Sequence, residues 1–217
     1  MHIQISDKID DLFTQVLQDT LGVDDGVDLV GDGRYASIVS NAMRLYIDLS
    51  RGYRIRSRKT IICTAIYAAL RLAGYAITVN AFADRVGMDV RRLAVCYRAM
   101  QRVLGLTVPN PSLNAYIDEV VRWLEEDGGG AQDRYTDVDT ARLKEESYRL
   151  AGYVNSMMNG RGFNPAGMAA AIVYLSLDER CRKAVGIRNL ARITGVSVVT
   201  VKKRIEDLKA LLNGHVQ

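Results

Sequence analysis

The sequence is poor in the residues that build catalytic and metal sites. It has only two histidines, His2 and His215, and both lie close to a chain end. The three cysteines, Cys63, Cys96 and Cys181, are far apart and fall within apolar helical patterns, so neither a zinc site nor a redox pair is expected. We expect the cysteines to be buried as small apolar side chains. The sequence also lacks a glycine-rich phosphate loop, and we predict no metal, no cofactor and no enzymatic activity.

Long apolar runs and prolines are also scarce. No apolar segment reaches the roughly 18–20 residues that cross a bilayer, and the start, M-H-I-Q-I-S-D-K-I-D-D, has neither the apolar core nor the positive charge of a signal peptide. We therefore expect an intracellular protein without a membrane partner. The three prolines, Pro109, Pro111 and Pro165, lie at predicted helix boundaries, and strand-like alternation is rare. The predicted fold class is all-α.

Charge is unevenly distributed along the chain. Residues 1–33 hold eight aspartates and one lysine, a net charge of −7, so the rest of the chain carries +11. A basic body favours polyanionic partners, of which nucleic acid is the commonest. Within the acidic segment we predict a helix that begins near Ser6 and ends at Gly22, followed by an Asp- and Gly-rich linker.

Helical periodicity divides the remainder into nine predicted helices. Five precede the glycine-rich stretch D-G-G-G-A-Q-D at 127–133, and four follow it. Their predicted ranges are 34–50, 57–73, 78–86, 89–104, 111–126, 137–158, 164–179, 187–194 and 197–212.

The two halves of the chain resemble each other. Each has an alanine-rich helix with one tyrosine, Tyr67 and Tyr174, which are 107 residues apart. Each then has a glycine turn before a basic helix, and these glycines, Gly87 and Gly195, are 108 residues apart. This agreement indicates an internal duplication. We therefore predict two five-helix repeats after the acidic segment 1–33. Their predicted bounds are 34–127 and 134–213.

The strongest local pattern is I-R-N-L-A-R-I-T-G-V-S-V-V-T-V-K-K-R-I-E-D-L-K at residues 187–209. Gly195 suits a tight turn, and Ser197 suits a helix N-cap. Such a pattern is typical of a helix-turn-helix, whose second helix presents its N-terminal residues to the major groove. A plain helical hairpin is the alternative. The predicted buried stripe is Val201, Ile205 and Leu208. The predicted DNA-binding residues are Ser197, Val198, Val199, Lys202 and Lys203.

Two further basic clusters precede this pattern. One lies in the corresponding helix of the first half, where Arg91, Arg92 and Arg98 are candidates for phosphate contact. The other lies in the loop R-G-Y-R-I-R-S-R-K, which concentrates positive charge without any acid and is expected to bind phosphate in a salt-dependent way. Solvated basic faces are the alternative for both. The candidate residues of the loop are Arg54, Arg56, Arg58 and Lys59.

At these positions the sequence resembles the core domain of transcription factor IIB, which consists of two cyclin-like repeats. The resemblance covers roughly 34–212 and is carried by three segments, A-I-Y-A-A-L-R-L-A-G, N-P-A-G-M-A-A-A-I-V-Y-L-S and G-V-S-V-V-T-V-K-K. It implies two cyclin-like repeats, double-stranded promoter DNA and the TATA-binding protein as partners, and a base-reading role for Val199 and Lys202. Lysine in place of the family's arginine loses a bidentate contact to a base.

The sequence also departs from the family. No cysteine precedes Cys63, so the N-terminal zinc ribbon that recruits RNA polymerase is not expected, and an acidic segment stands in its place. This segment is a candidate contact for RNA polymerase or another factor. The resemblance further implies a nuclear location if the source is eukaryotic or a virus of a eukaryote, and a cytoplasmic one if it is archaeal.

Two other functions fit the same fold. A cyclin-type module would bind a protein partner such as a kinase, but cyclins rarely carry a G-V-S-x-x-T-V turn or a surface this basic. A stand-alone helix-turn-helix regulator would bind DNA without the TATA-binding protein.

Overall fold

The computed structural model describes residues 13, 15–16, 33–52, 57–128, 138–157 and 163–213. Within these ranges the chain forms helices and short connections, with no β-strand, which confirms the all-α prediction. The helices are α1 (Gly33–Gly52), α2 (Arg58–Leu72), α3 (Val79–Arg85), α4 (Val90–Leu104), α5 (Leu113–Gly128), α6 (Thr140–Met157), α7 (Pro165–Ser176), α8 (Glu179–Thr194) and α9 (Val198–Asn213).

The chain divides into two compact units. One comprises Met1–Tyr75 with Val79–Asn110, and the other comprises Ala76–Thr78 with Pro111–Gln217. Unit 1 therefore contains α1 to α4, and unit 2 contains α5 to α9. This division differs from the sequence-based boundary at 127–133, because α5 packs on α6, α7 and α8.

Each unit is built around one alanine-rich helix. In unit 1, every residue of α2 from Thr60 to Leu70 is buried, and in unit 2, every residue of α7 from Ala166 to Val173 is buried. Small side chains permit this, since they let neighbouring helices approach from all sides. Ser57 caps α2 and Asn164 caps α7. Both alanine-rich helices are therefore the central helices of their units.

The helix bounds match the sequence prediction except after α7. That helix ends at Ser176, and α8 then runs from Glu179 to Thr194 across a break at Gly186, where φ is +67°. Only the part from residue 187 onward was predicted from the sequence. The missed part is capped by Asp178, whose carboxylate accepts the N–H of Cys181 at 2.8 Å.

Part of the acidic N-terminal segment belongs to the core of unit 1. Phe13 and Val16 are helical and only 1% and 3% exposed. The Phe13 ring meets Tyr46 of α1 edge to face, with ring centroids 5.8 Å apart. The rest of residues 1–32 lies outside the described residues, as do Arg54, Arg56 and most of the glycine-rich stretch. Core packing therefore anchors at least this turn of the segment.

In the part of the chain that the structure describes, no single helix is long and apolar enough to span a membrane. Helices α8 and α9 pass such a test only when taken together, and the chain bends by 114° between them.

Candidate nucleic-acid interface

The turn between α8 and α9 has the backbone geometry that its sequence predicts. Gly195 adopts φ +65°, in the left-handed region that favours glycine. The N–H of Val196 donates to the carbonyl of Ala191 at 3.0 Å, which closes the end of α8. Ser197 Oγ accepts the N–H of Thr200 at 3.0 Å and so caps α9. The two helices are thus held at a fixed bend by local hydrogen bonds.

Helix α9 has one buried face and one exposed face. Val201 and Leu208 are completely buried and Ile205 nearly so, as predicted. Val199 is 75% exposed, which is the largest exposure among the described large apolar residues. A side chain this exposed adds little buried apolar surface to the fold, and it is accessible to a ligand. The exposed residues of this N-terminal part are Ser197, Val199, Lys202 and Lys203.

Val198 lies at the margin of the exposed face of α9. It is half-buried and packs against the apolar core of unit 2. Less of the Val198 side chain than of the Val199 side chain is therefore exposed for the predicted contact with DNA.

Helices α7 and α9 approach each other closely at the first turn of α9. A Cβ added at Gly167 would lie only 3.1 Å from Thr200 Cγ2. The Thr200 hydroxyl is also 2.8 Å from Ser197 Oγ. Sequence reasoning missed both Gly167 and Thr200, although S-V-V-T at residues 197–200 has the spacing at which a cap and the third helical residue meet. The position of the exposed turn therefore depends on the central helix.

Unit 1 repeats this turn between α3 and α4. Gly87 adopts φ +58°, and the N–H of Met88 donates to the carbonyl of Ala83 at 2.8 Å. Asp89 caps α4 by accepting the N–H of Arg92 at 2.8 Å. Each of these groups lies 108 residues before its counterpart in unit 2, so the duplication inferred from the sequence extends to individual hydrogen bonds.

The exposed face of α4 is basic. Arg91, Arg92 and Arg98 are all exposed, as their predicted phosphate contacts require. Arg102 extends the same face, and Val95 lies among these arginines with 55% of its surface exposed. Residues three and four apart on a helix share a face, so most of these cations form one stripe.

The structure describes the last part of the basic loop, which leads into the start of α2. Arg58 and Lys59 are exposed in the first turn of that helix, which contains no acidic residue. Positive charge at a helix N-terminus opposes the helix dipole and costs stability. Ser57 supplies the cap, with its Oγ accepting the N–H of Thr60 at 3.4 Å. The placement of these two cations is therefore unfavourable for the helix itself.

The cysteines are buried, as predicted. All three are buried thiols outside any disulfide. Burial raises the pKa of Cys63 to about 11, although the nearby Lys59 opposes the shift, so its thiol stays protonated at neutral pH. Among the described residues, no group of three or more His, Cys, Asp or Glu side chains is placed to hold a metal ion.

No family model matches the sequence, whereas several curated proteins do. The chain is 24% identical over 160 residues to transcription initiation factor IIB of Ignicoccus hospitalis, covering 74% of this chain and 46% of that protein. It is 26% identical over 181 residues to transcription initiation factor IIB of Pyrodictium occultum, covering 81% and 53%. It is 29% identical over 179 residues to transcription initiation factor IIB 1 of Thermococcus kodakarensis, covering 81% and 55%. The chain thus spans about half the length of the curated relatives it matches.

Proposed function

We propose that this chain, a divergent homologue of the core domain of transcription initiation factor IIB, acts in transcription initiation by binding double-stranded promoter DNA. The observation that carries the proposal is the exposed first part of α9, where Val199, Lys202 and Lys203 project from a turn fixed by Gly195 and Ser197. A helix-turn-helix presents these positions of its second helix to base edges in the major groove.

The exposed side chains suit two kinds of contact. Val199 offers a methyl surface to the C5-methyl group of thymine, and Lys202 and Lys203 offer donors to phosphates or to the acceptors of guanine. Lysine is a flexible point charge and lacks the fork with which arginine grips guanine. We therefore expect a modest sequence preference, with most of the affinity coming from phosphate contacts.

Basic residues of unit 1 supply further phosphate contacts in this proposal. Arg91, Arg92 and Arg98 form part of the exposed stripe of α4. Arg58 and Lys59 lie at the start of α2, and Arg54 and Arg56 extend the same cluster in the sequence. Phosphate contacts position a protein on the duplex without reading its sequence.

We further propose that the chain binds DNA together with the TATA-binding protein. The support is its relation to initiation factors. Each unit, taken by itself, also carries an exposed basic surface that suits contact with phosphates. A contact between the acidic segment 1–33 and RNA polymerase or another factor is part of the same proposal.

A gel-shift titration across a salt series tests this function. Duplex DNA with a TATA element is titrated with the full chain, with and without TATA-binding protein, from about 50 to about 300 mM salt. The proposal predicts a complex that is stronger with that protein and weakens steeply with salt. DNA binding that is unaffected by the TATA-binding protein favours a stand-alone regulator. Absence of binding in both arms contradicts DNA binding and favours the cyclin-type protein module.

The cations at the start of α2 allow an effect on DNA binding to be distinguished from an effect on the stability of the fold. In the double variant Arg58→Glu/Lys59→Glu we expect weaker DNA binding together with a more stable fold. Acidic residues in a first helical turn stabilise by about 0.3–1 kcal/mol each, whereas the loss of two phosphate contacts lowers the salt slope by about two. Urea denaturation and the same gel shift measure both quantities. Unchanged DNA affinity in the stabilised variant would contradict a role for this cluster.

A further inference from the structure

Helix α4 presents an exposed stripe that phosphate contacts alone do not explain. Its members lie three or four residues apart and so share one face of the helix, and they are Arg91, Val95, Arg98 and Arg102. The opposite face of α4 is buried and packs on α2 and α3, which fixes the orientation of the stripe within unit 1. A phosphate contact requires only cations, whereas this stripe also contains an apolar side chain.

Val95 is one of the most exposed apolar residues of the protein. It is 55% exposed, and among the described large apolar residues only Val199, at 75%, is more exposed. The two valines thus lie in corresponding elements, each on the helix that follows a glycine turn. Burial of apolar surface is favourable, so an exposed valine on a basic helix suits a polyanion that also offers apolar surface. Duplex DNA offers such a surface in the C5-methyl group of thymine, which faces the major groove.

The helices α4 and α9 carry a valine and a cation at the same two positions. The second residue is Arg91 in α4 and Val199 in α9. The sixth residue is Val95 in α4 and Lys203 in α9. These positions lie about 6 Å apart along a helix, which is close to two steps of about 3.4 Å between base pairs. Each helix therefore offers one apolar and one cationic side chain to neighbouring base pairs, in exchanged order.

Two carboxylates accompany the arginines of this turn and keep their charge. Asp84 lies on α3, and Asp89 caps α4 by accepting the N–H of Arg92 at 2.8 Å. Residues 79–104 nevertheless carry a net charge of +3, since five arginines face two aspartates. The exposed carboxylate of Asp89 repels a phosphate at the first turn of α4, but it can accept a hydrogen bond from N4 of cytosine. The first turn therefore suits a base edge better than a phosphate.

We infer that α3 and α4 form a second DNA-reading helix-turn-helix, in which Arg91 recognises a guanine and Val95 contacts the methyl group of a nearby thymine. The guanidinium of Arg91 donates two hydrogen bonds, to O6 and N7 of the guanine. Arg98 and Arg102 lie farther along α4 and contact phosphates, which position the helix. This inference rests on the proposed function and adds base recognition to the phosphate contacts that α4 makes there.

Selection from a duplex library tests the inference on the full chain. Randomised base pairs flank a TATA element on both sides, and the selection is run with TATA-binding protein alone and with that protein and the chain. The chain should enrich two additional short elements, one for each glycine turn. The element read by α4 should contain a guanine and a thymine within about two base pairs of each other, as the spacing of Arg91 and Val95 requires.

The variant Arg91→Lys distinguishes base recognition from charge. Lysine keeps the positive charge but lacks the fork that grips guanine. The preference for guanine in one element should therefore fall about tenfold, while the other element stays enriched. The matched control is Arg142→Lys, because Arg142 is an exposed arginine of α6 outside both turns. It should leave both elements unchanged, and thermal unfolding establishes that each variant is folded.

Replacement of thymine by deoxyuridine in the enriched duplex tests the role of Val95. Deoxyuridine lacks only the C5-methyl group, so a gel shift should show about fourfold weaker binding of the natural chain. The variant Val95→Ala should bind both duplexes equally, because its shorter side chain no longer reaches the methyl group. A contact with phosphates is insensitive to this replacement in either protein.

The possible results separate this inference from the proposed function. If a DNA element is enriched but responds neither to Arg91→Lys nor to deoxyuridine, α4 does not read bases and this inference alone is overturned. Enrichment of a single element that is lost in Lys202→Glu/Lys203→Glu has the same meaning. If the chain enriches nothing beyond the TATA-binding protein alone, the proposed function and this inference both fail.

Discussion

The double variant Lys202→Glu/Lys203→Glu is expected to bind duplex DNA about 100-fold more weakly than the natural chain. Each lysine lies on the exposed face of α9, one to two turns after its N-terminus. Each lysine contributes a charge-assisted contact of about 1.5–3 kcal/mol, and about 1.4 kcal/mol corresponds to tenfold in affinity. Repulsion between glutamate and phosphate adds to the loss. A gel shift at several salt concentrations measures it, and the slope of log K against log salt should fall by about two.

The control for this variant changes net charge equally at other positions. Arg142→Glu/Arg149→Glu replaces two exposed cations of unit 2 that lie on α6 and not on α9. It should bind DNA within about threefold of the natural chain, since exposed charges beyond a Debye length of about 8–10 Å are largely screened. Both variants should keep their free energy of unfolding within about 0.5 kcal/mol, as surface changes usually do. Equal DNA affinity of the two variants would mean that the turn of α9 is not the contact.

The α8–α9 turn shows what a sequence determines locally. Few residue types tolerate a positive φ at a tight turn, and few carry a side-chain oxygen that caps a helix. The sequence alone therefore predicts the roles of Gly195 and Ser197 correctly. The buried stripe of α9 was equally predictable, since an apolar residue every three or four positions leaves one way to pack the helix.

Other features depend on packing between helices that are distant in sequence. The close approach of Gly167 to Thr200 arises from the crossing of α7 and α9, which no local pattern encodes. The helical segment from Glu179 to Val185, which Asp178 caps, was not predicted. It is short and polar, so it has no apolar periodicity that would mark it as a helix. The division between the units was obscured because the glycine-rich stretch after α5 is a stronger local break than Asn110–Pro111.

The helix bounds suggest a different assignment of the duplication. A shift of 107 residues carries the start of α1 at Gly33 onto the start of α6 at Thr140, and the cap Ser57 onto the cap Asn164. The same shift carries α5 back to residues 6–21, where the acidic segment is predicted to be helical. We therefore propose that α5 opens the second repeat and that the acidic helix opens the first.

Phe13→Ala is expected to destabilise the protein by about 3–5 kcal/mol, as deletion of a buried aromatic ring usually does. Phe13 is 1% exposed and packs on Tyr46. In the proposed assignment it corresponds to Val120 of α5, which is completely buried. Since a domain is usually stable by only about 5–15 kcal/mol, the loss should be plain in urea denaturation followed by circular dichroism. A tail without a structural role would instead tolerate the change.

Gln15→Ala is the matched control, because Gln15 is exposed on the same turn. It should change the free energy of unfolding by less than about 0.5 kcal/mol. A loss below about 1 kcal/mol for Phe13→Ala would mean that the segment is dispensable to the core. If the large loss is observed, deletion of residues 1–33 cannot show whether the acidic charge of the segment serves the proposed contact with RNA polymerase or another factor. The deletion would also remove core side chains and so destabilise the protein. The charge must then be tested by replacing aspartates with asparagine at positions 24, 25, 28 and 32, which leaves Phe13 and Val16 in place.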